Sequence, residues 1–311
     1  MTISAERRVL VTGANGFIGS HCLEPLLKRG YEVHAVSRGR PDGPAGIAWH
    51  ECDLLALGAA ERLVERVRPS HLLHLAWYVV PGQVISSPVN HRWVARSVEL
   101  LQAFARQDGR RAVVSGSAYE YDWGAGRCDE ETTPLAPSTV YGACKAALFL
   151  QATAIAREAG VSLAWIRPFF LYGPREHPDR LVASVARALL RGLPATTSHG
   201  RQRRDYLHVQ DVADAAVATL DSDLTGAANV GAGEAVALRE IVTRIGDIVG
   251  RPDLLRIGEI PARSNDVPLV VAGGNRLARE LGWRPRFDLD AGLLHTIDWW
   301  RHELLAEEAP R

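Results

Sequence analysis

"VLVTGANGFIGSHCLEPLLKRGYEVHAVSRGR", Val9 to Arg40, decides how this chain folds. It opens on a short apolar run, passes Gly13, Gly16 and Gly19 in "TGANGFIG", continues with helical periodicity, and enters a second apolar run at "YEVHAVS". A glycine-rich turn that follows a strand, opens a helix and leads to another strand predicts a dinucleotide-binding unit. Gly13 is expected to permit the tight turn, and Gly16 to let backbone N–H groups approach a pyrophosphate. Gly19 is expected to let the helix pack closely on the sheet. The helix N-terminus adds partial positive charge at the same place.

The stretch ends on Ser37-Arg38, where NAD-binding folds carry an Asp or Glu for the ribose hydroxyls. Glu32 comes too early for that role and Asp42 too late. A carboxylate repels a 2′-phosphate, whereas a hydroxyl and a guanidinium bind it, so Ser37 and Arg38, with help from Arg40, favour NADP over NAD. Asp53-Leu54, closing the third strand, is within reach of the adenine.

Working outward, "AWHECDL", "HLLHLAW", "RAVVSGS" and "SLAWIRP" read as further strands, separated by "AAERLVERVRP", "WVARSVELLQAFARQ" and "YGACKAALFLQATAIAREAG", which read as helices. Such alternation with apolar strands predicts an α/β fold, a doubly wound parallel sheet covered on both faces. After Gly173-Pro174 the rhythm changes, with helices in "DRLVASVARALLRG", "LREIVTRIGDIVG" and "DAGLLHTIDWWRHELLAEE" among irregular pieces. Residues 1–173 are therefore expected to form the dinucleotide-binding domain, with a return segment near 205–232. Residues 174–311 are expected to form mainly a smaller substrate-binding lobe.

Among 311 residues, 36 basic and 36 acidic side chains cancel, which removes the simplest argument for nucleic-acid or membrane partners. No apolar stretch reaches membrane-spanning length, and "MTISAERRVLV" leaves no room for a signal peptide before the first strand. Cys22, Cys52, Cys128 and Cys144 lie far apart without metal-like spacing, so reduced thiols, no metal and a cytoplasmic location are expected.

"VYGACK" sets Tyr141 and Lys145 four apart, on one face of a helix. A phenol titrates near 10, and a nearby ammonium is expected to lower it towards useful acid–base work. Upstream, "VVSGSAYEY" ends a strand at Ser117, whose hydroxyl could hold a carbonyl oxygen.

In "TGANGFIG", "CDL", "HLA", "SGSAYEY", "YGACK", "RPFFLYGP", "RDYLHVQDVADA" and "NVGAG", in that order over nearly the whole chain, the sequence resembles the extended short-chain dehydrogenase/reductase family. Within it, the resemblance is to the nucleotide-sugar epimerase/dehydratase/reductase branch. It implies a Rossmann sheet, Ser117, Tyr141 and Lys145 as the catalytic set, and Lys145 also on the nicotinamide ribose. It implies that Asn15, Phe17, Ile18, Leu75 and Ala76 join the glycines around the dinucleotide, and that Pro168 lies against the nicotinamide. Arg204 in "RRDYLHV" and Arg263 in "IPARSND" look like ligands of the substrate diphosphate. The family also implies a homodimer built on the helices near 91–107 and 141–158.

Departures narrow the reaction. Dehydratases of the family carry Asp-Glu directly after the strand-end hydroxyl residue; here Ala118-Tyr119 stand there, and Glu120 is one place too far. Trp93 occupies the position of an Asn that commonly serves the proton relay, and Phe170 that of an Asn that contacts substrate. A less hydroxylated sugar, such as a 6-deoxyhexose, suits the more apolar pocket this implies. The reading that follows is NADPH-dependent reduction of a nucleotide-linked 4-keto-6-deoxyhexose. The alternatives are a nucleotide-sugar 4-epimerase with retained NAD and, more remotely, a non-catalytic protein that senses the dinucleotide.

Overall fold

The computed structural model describes residues 7–39, 43–262 and 266–308. Seven parallel strands form the main sheet: β1 (Arg8–Thr12), β2 (Glu32–Ser37), β3 (Ile47–Glu51), β4 (His71–His74), β5 (Arg111–Ser115), β6 (Ser162–Pro168) and β7 (Gly226–Val230). Their spatial order is β7-β6-β5-β4-β1-β2-β3, a doubly wound sheet whose chain order reverses between β1 and β4. Ligands of open α/β sheets bind at that reversal, outside the carboxyl ends of the strands.

The strands are nearly all apolar because both faces are covered. On one side α1 (Phe17–Lys28) packs against α6 (Val209–Leu220), closing a core of Val9, Val11, Leu26, Val33, Val212 and Val217. On the other lie α2 (Ala59–Val67), α3 (Val89–Arg106) and α4 (Val140–Ala159), over Leu10, Leu63, Leu72, Phe104 and Trp165. The chain leaves the sheet after β6 and returns as α6 and β7. A third core joins α5 (Leu181–Leu190), α7 (Leu238–Val249) and α9 (Leu289–Glu308), with the short helix α8 (Arg276–Leu281) beside β7. Short strands at Arg127–Cys128, Arg203–Arg204, Val236–Ala237 and Leu269–Ala272 make a small sheet on this lobe, and Phe170–Tyr172 pairs with Tyr206–His208.

Gly13 has φ +69°, and a Cβ there would stand 2.8 Å from the amide nitrogen of Ala76 at the end of β4. A Cβ on Gly19 would sit 2.1 Å from the Gly13 carbonyl oxygen. The first turn of α1 therefore rests on the turn that ends β1. Gly19→Ala is expected to force the two apart and cost about 3 kcal/mol, the upper range for overpacking, read as a lowered denaturant midpoint.

Candidate active site

The glycine turn fits a dinucleotide on its own geometry. The N-cap of α1 is Gly16, with no side-chain cap and no acidic residue in the first turn, so the helix end keeps its positive potential. Asn15 is exposed and accepts from Arg175 at 3.4 Å, while Phe17 and Ile18 open the helix. Thr12 Oγ1 bonds the Ala76 N–H (3.2 Å) and His74 Nδ1 (2.6 Å), and His74 Nε2 reaches Ser97 (2.8 Å). This buried chain ties β1 to Leu75-Ala76 and to α3, and burial lowers His74 to about 3, so its ring is neutral.

At the far side of the same crevice, the Ser37 hydroxyl donates to the Gly39 carbonyl. Arg38 is exposed and, among the described residues, makes no ion pair. Arg40 lies outside the described residues. Asp53 is exposed and accepts the Leu55 N–H at 3.0 Å, turning the chain above buried Leu54.

Across β4, Ser117 follows the end of β5 and caps a single helical turn at Ala118–Glu120. Helix α4 starts at a Thr139 cap whose hydroxyl accepts from Gly142. A Cβ on Gly142 would lie 2.1 Å from the Tyr119 carbonyl. The glycine between Tyr141 and Lys145 thus lets α4 press onto the turn that carries Ser117, and the Ser117 side chain acts on the Tyr141 phenol, favouring its ionised form. Lys145 is buried, donates to the Ser115 carbonyl at 2.6 Å, and stands 3.8 Å from the ring centre of Trp77. It is one of two lysines in a chain with 36 basic residues, the other being Lys28.

The expected lowering of the Tyr141 phenol does not occur in this structure. Burial pushes it up to about 12; the Ser117 hydrogen bond opposes this, and Glu120 and Tyr119 add to it. Burial also lowers Lys145 to about 7, against the pull of Glu120. Desolvation outweighs mutual attraction because each group's charged form is kept from water.

Pro168 ends β6 and is buried, opposite Val230 of β7. Beyond it, rings from four segments line up. Tyr119 lies 5.7 Å from Tyr141, 4.5 Å from Trp123 and 6.5 Å from Phe170, and Phe170 lies 5.8 Å from Tyr206. Trp93, at the position of the relay Asn, stacks on Trp77 at 5.9 Å. Arg204 is 4% exposed, ion-paired with Asp266, its guanidinium 5.5 Å from the Phe170 ring. Asp205 instead accepts three backbone N–H groups, from Ala232, Gly233 and Ala272. Arg263 lies outside the described residues.

The structure thus brings together Ser117, Tyr141 and Lys145, sets the glycine turn and Arg38 on the same open edge of the sheet, and keeps Glu120 inside the fold. Trp77, Trp123 and Tyr206 were not singled out from the sequence, and Tyr119 only as a departure from the dehydratase pattern. The signal for Trp77 was its place directly after "HLA". Arg180, at the start of α5, also acts on Tyr141. Among the described residues no group of three His, Cys, Asp or Glu is arranged to hold a metal ion, and no helix is long and apolar enough to cross a membrane. The four cysteines are free.

Comparison with known proteins follows the same lines. The family described as "NAD dependent epimerase/dehydratase family" matches residues 9–231. The chain is 28% identical to the UDP-glucose 4-epimerase of Azospirillum brasilense, over 97% of this chain and 94% of that protein. It is 30% identical to the UDP-glucose 4-epimerase of Mycolicibacterium smegmatis, over 95% and 99% respectively. The Thermus thermophilus UDP-glucose 4-epimerase, solved as a complex with NAD, superposes with a TM-score of 0.85 at 31% identity, covering 94% of this chain and 99% of that one.

Proposed function

The chain belongs to the NAD-dependent epimerase/dehydratase family, in the nucleotide-sugar branch of the extended short-chain dehydrogenases/reductases, and on that premise we propose that it is a nucleotide-sugar 4-epimerase. It would oxidise and re-reduce one carbon of a nucleotide-linked sugar with a retained NAD. The observation that carries this reading is the close seat of α4 on the turn of Ser117, through Gly142, which sets Tyr141 one helical turn from Lys145 and within the influence of Ser117.

A nicotinamide bound at this crevice supplies hydride acceptance and return. Tyr141 moves the proton at the sugar oxygen, and Ser117 orients that oxygen. Lys145 takes the ribose side, held by the Ser115 carbonyl and Trp77. Gly13, Asn15, Gly16, Phe17, Ile18, Gly19, Asp53, Leu54, Leu75, Ala76 and Pro168 form the dinucleotide's surroundings. Arg204 and Arg263 remain the candidates for the substrate diphosphate. Elimination of water is disfavoured here, because Ala118 and Tyr119 stand where a dehydratase carries its carboxylates and Glu120 is paired with Arg167. Helices α3 and α4 would form the interface of a homodimer, covering Leu150, which is 65% exposed.

A second reading, NADPH-dependent reduction of a nucleotide-linked 4-keto-6-deoxyhexose, is favoured by Arg38, exposed at the end of β2 in place of an acid. The ring-lined wall of Tyr119, Trp123 and Phe170 suits a sugar that lacks a hydroxyl. Purified protein given nucleotide sugars and their 4-keto-6-deoxy derivatives separates the two. Altered configuration without net nicotinamide change, with NAD released on heating, means epimerase; stoichiometric loss of NADPH means reductase. Arg38→Ala is expected to weaken NADP about tenfold and leave NAD within twofold by calorimetric titration. Equal affinities before and after would remove Arg38 from the site.

A further inference from the structure

We propose that Glu120 is a positioning residue of the reaction: its buried carboxylate holds the backbone of Ser117 and lays a negative charge beside the Tyr141–Lys145 pair. The proposal rests on the reading of Ser117, Tyr141 and Lys145 given above.

The side chain is fully buried. Its Oε1 accepts the Ser117 N–H at 2.8 Å and the Trp165 indole N–H at 3.0 Å. Its Oε2 accepts Arg167 Nε at 2.8 Å, and Arg167 donates onward to the Tyr121 hydroxyl at 2.9 Å. Tyr121 then donates to Asn229 at 2.8 Å, and Asn229 to the Cys128 carbonyl at 2.8 Å. Gly116 leaves the room this needs, since a Cβ there would stand 2.1 Å from Trp165 and 2.2 Å from Glu120. Ser117 is thereby fixed from behind by a chain that crosses from the main sheet to the smaller lobe.

Stability alone does not account for the pair. A buried ion pair gains little over apolar side chains of the same volume, because desolvation offsets the attraction. Its place does account for it. Lys145 is faced by Glu120 from the capping turn, by His74 from the end of β4, and by the Ser115 carbonyl at the end of β5, with Tyr141 one turn before it on its own helix. Glu120 is the charge that favours the Lys145 ammonium, and it favours the protonated Tyr141 phenol as well. Arg180 opposes it at Tyr141, and Arg167 and Tyr121 face Glu120 itself. One carboxylate thus favours the protonated form of both groups while it holds the third.

Two lysines make the test direct. In protein labelled with 13C-lysine, the NMR titration contains Lys28, 72% exposed on α1, and Lys145. Glu120→Gln is expected to move the Lys145 midpoint down by about one pH unit. It should move the corresponding limb of the kcat profile the same way and leave KM within about threefold. Glu120→Asp, which keeps the charge on a shorter arm, should hold the midpoint and lower kcat about tenfold through Ser117. A folded Glu120→Gln protein with the wild-type midpoint overturns the proposal and leaves Glu120 a cap. Should that variant fail to fold, Glu120→Gln with Arg167→Met removes both charges, and an unmoved midpoint there overturns it equally. The lysine titration needs no substrate, so absence of turnover would sink the proposed function without touching this result.

Discussion

Tyr141→Phe is expected to lower turnover of the nucleotide sugar about 10³-fold while the fold and dinucleotide binding survive. The ring would keep its edge contacts with Trp77 at 6.4 Å and Tyr119 at 5.7 Å. Only the buried hydroxyl and its interaction with the Ser117 side chain are lost, a change of about 1 kcal/mol in stability. The barrier, by contrast, rises by about 4 kcal/mol. Single-turnover kinetics, thermal melting and heat release of bound nicotinamide read the three effects apart. Activity within tenfold of wild type would mean that another group carries the proton. The pH dependence has a definite sign. Burial holds the phenol up at about 12, so it stays protonated through the neutral range. The direction that removes a proton from a sugar hydroxyl should therefore quicken as pH rises, and the slope should vanish in Tyr141→Phe.

The features legible in the sequence are those fixed by short-range spacing. Gly13 and Gly19 announce a turn and a close helix because both constraints act within one βαβ unit, and Tyr141 and Lys145 share a face because a helix turns once in four residues. The displacement of Glu120 from the dehydratase position was legible too, since a one-residue offset redirects a side chain, and Glu120 does run inward to Arg167. What could not be read depends on distant segments meeting. The aromatic wall draws on positions 119, 123, 170 and 206, and no local pattern connects them. The partner of Arg204 also comes from far along the chain: the fold turns the adjacent Asp205 towards three backbone amides and leaves Asp266 for the guanidinium. Ionisation was the deepest omission. An ammonium near a phenol suggests mutual stabilisation, but burial is a tertiary property, and here it moves both groups towards their neutral forms.

Arg167→Met is expected to destabilise the protein by about 3–5 kcal/mol, the cost of leaving one buried charge without its partner. The Arg167 and Glu120 side chains are 2% and 0% exposed, so water cannot replace the lost contact. Methionine matches the length of the arginine stem and can keep packing against Phe149 and Tyr121, whose ring centres lie 4.9 and 4.7 Å from the guanidinium. What disappears is the guanidinium that pairs with the Glu120 carboxylate and donates to the Tyr121 hydroxyl. For a chain of this size the loss corresponds to a fall in Tm of roughly 5–8 °C. Adding Glu120→Gln should restore part of it, because the double variant buries no net charge, and the coupling between the two positions should exceed about 1 kcal/mol. Additive losses would show that the pair does not interact as an ion pair. Melting curves cannot tell whether the restored protein works. A double variant that is stable and yet slow would separate the two duties of this pair, holding β6 to the capping turn and holding Ser117 to Tyr141.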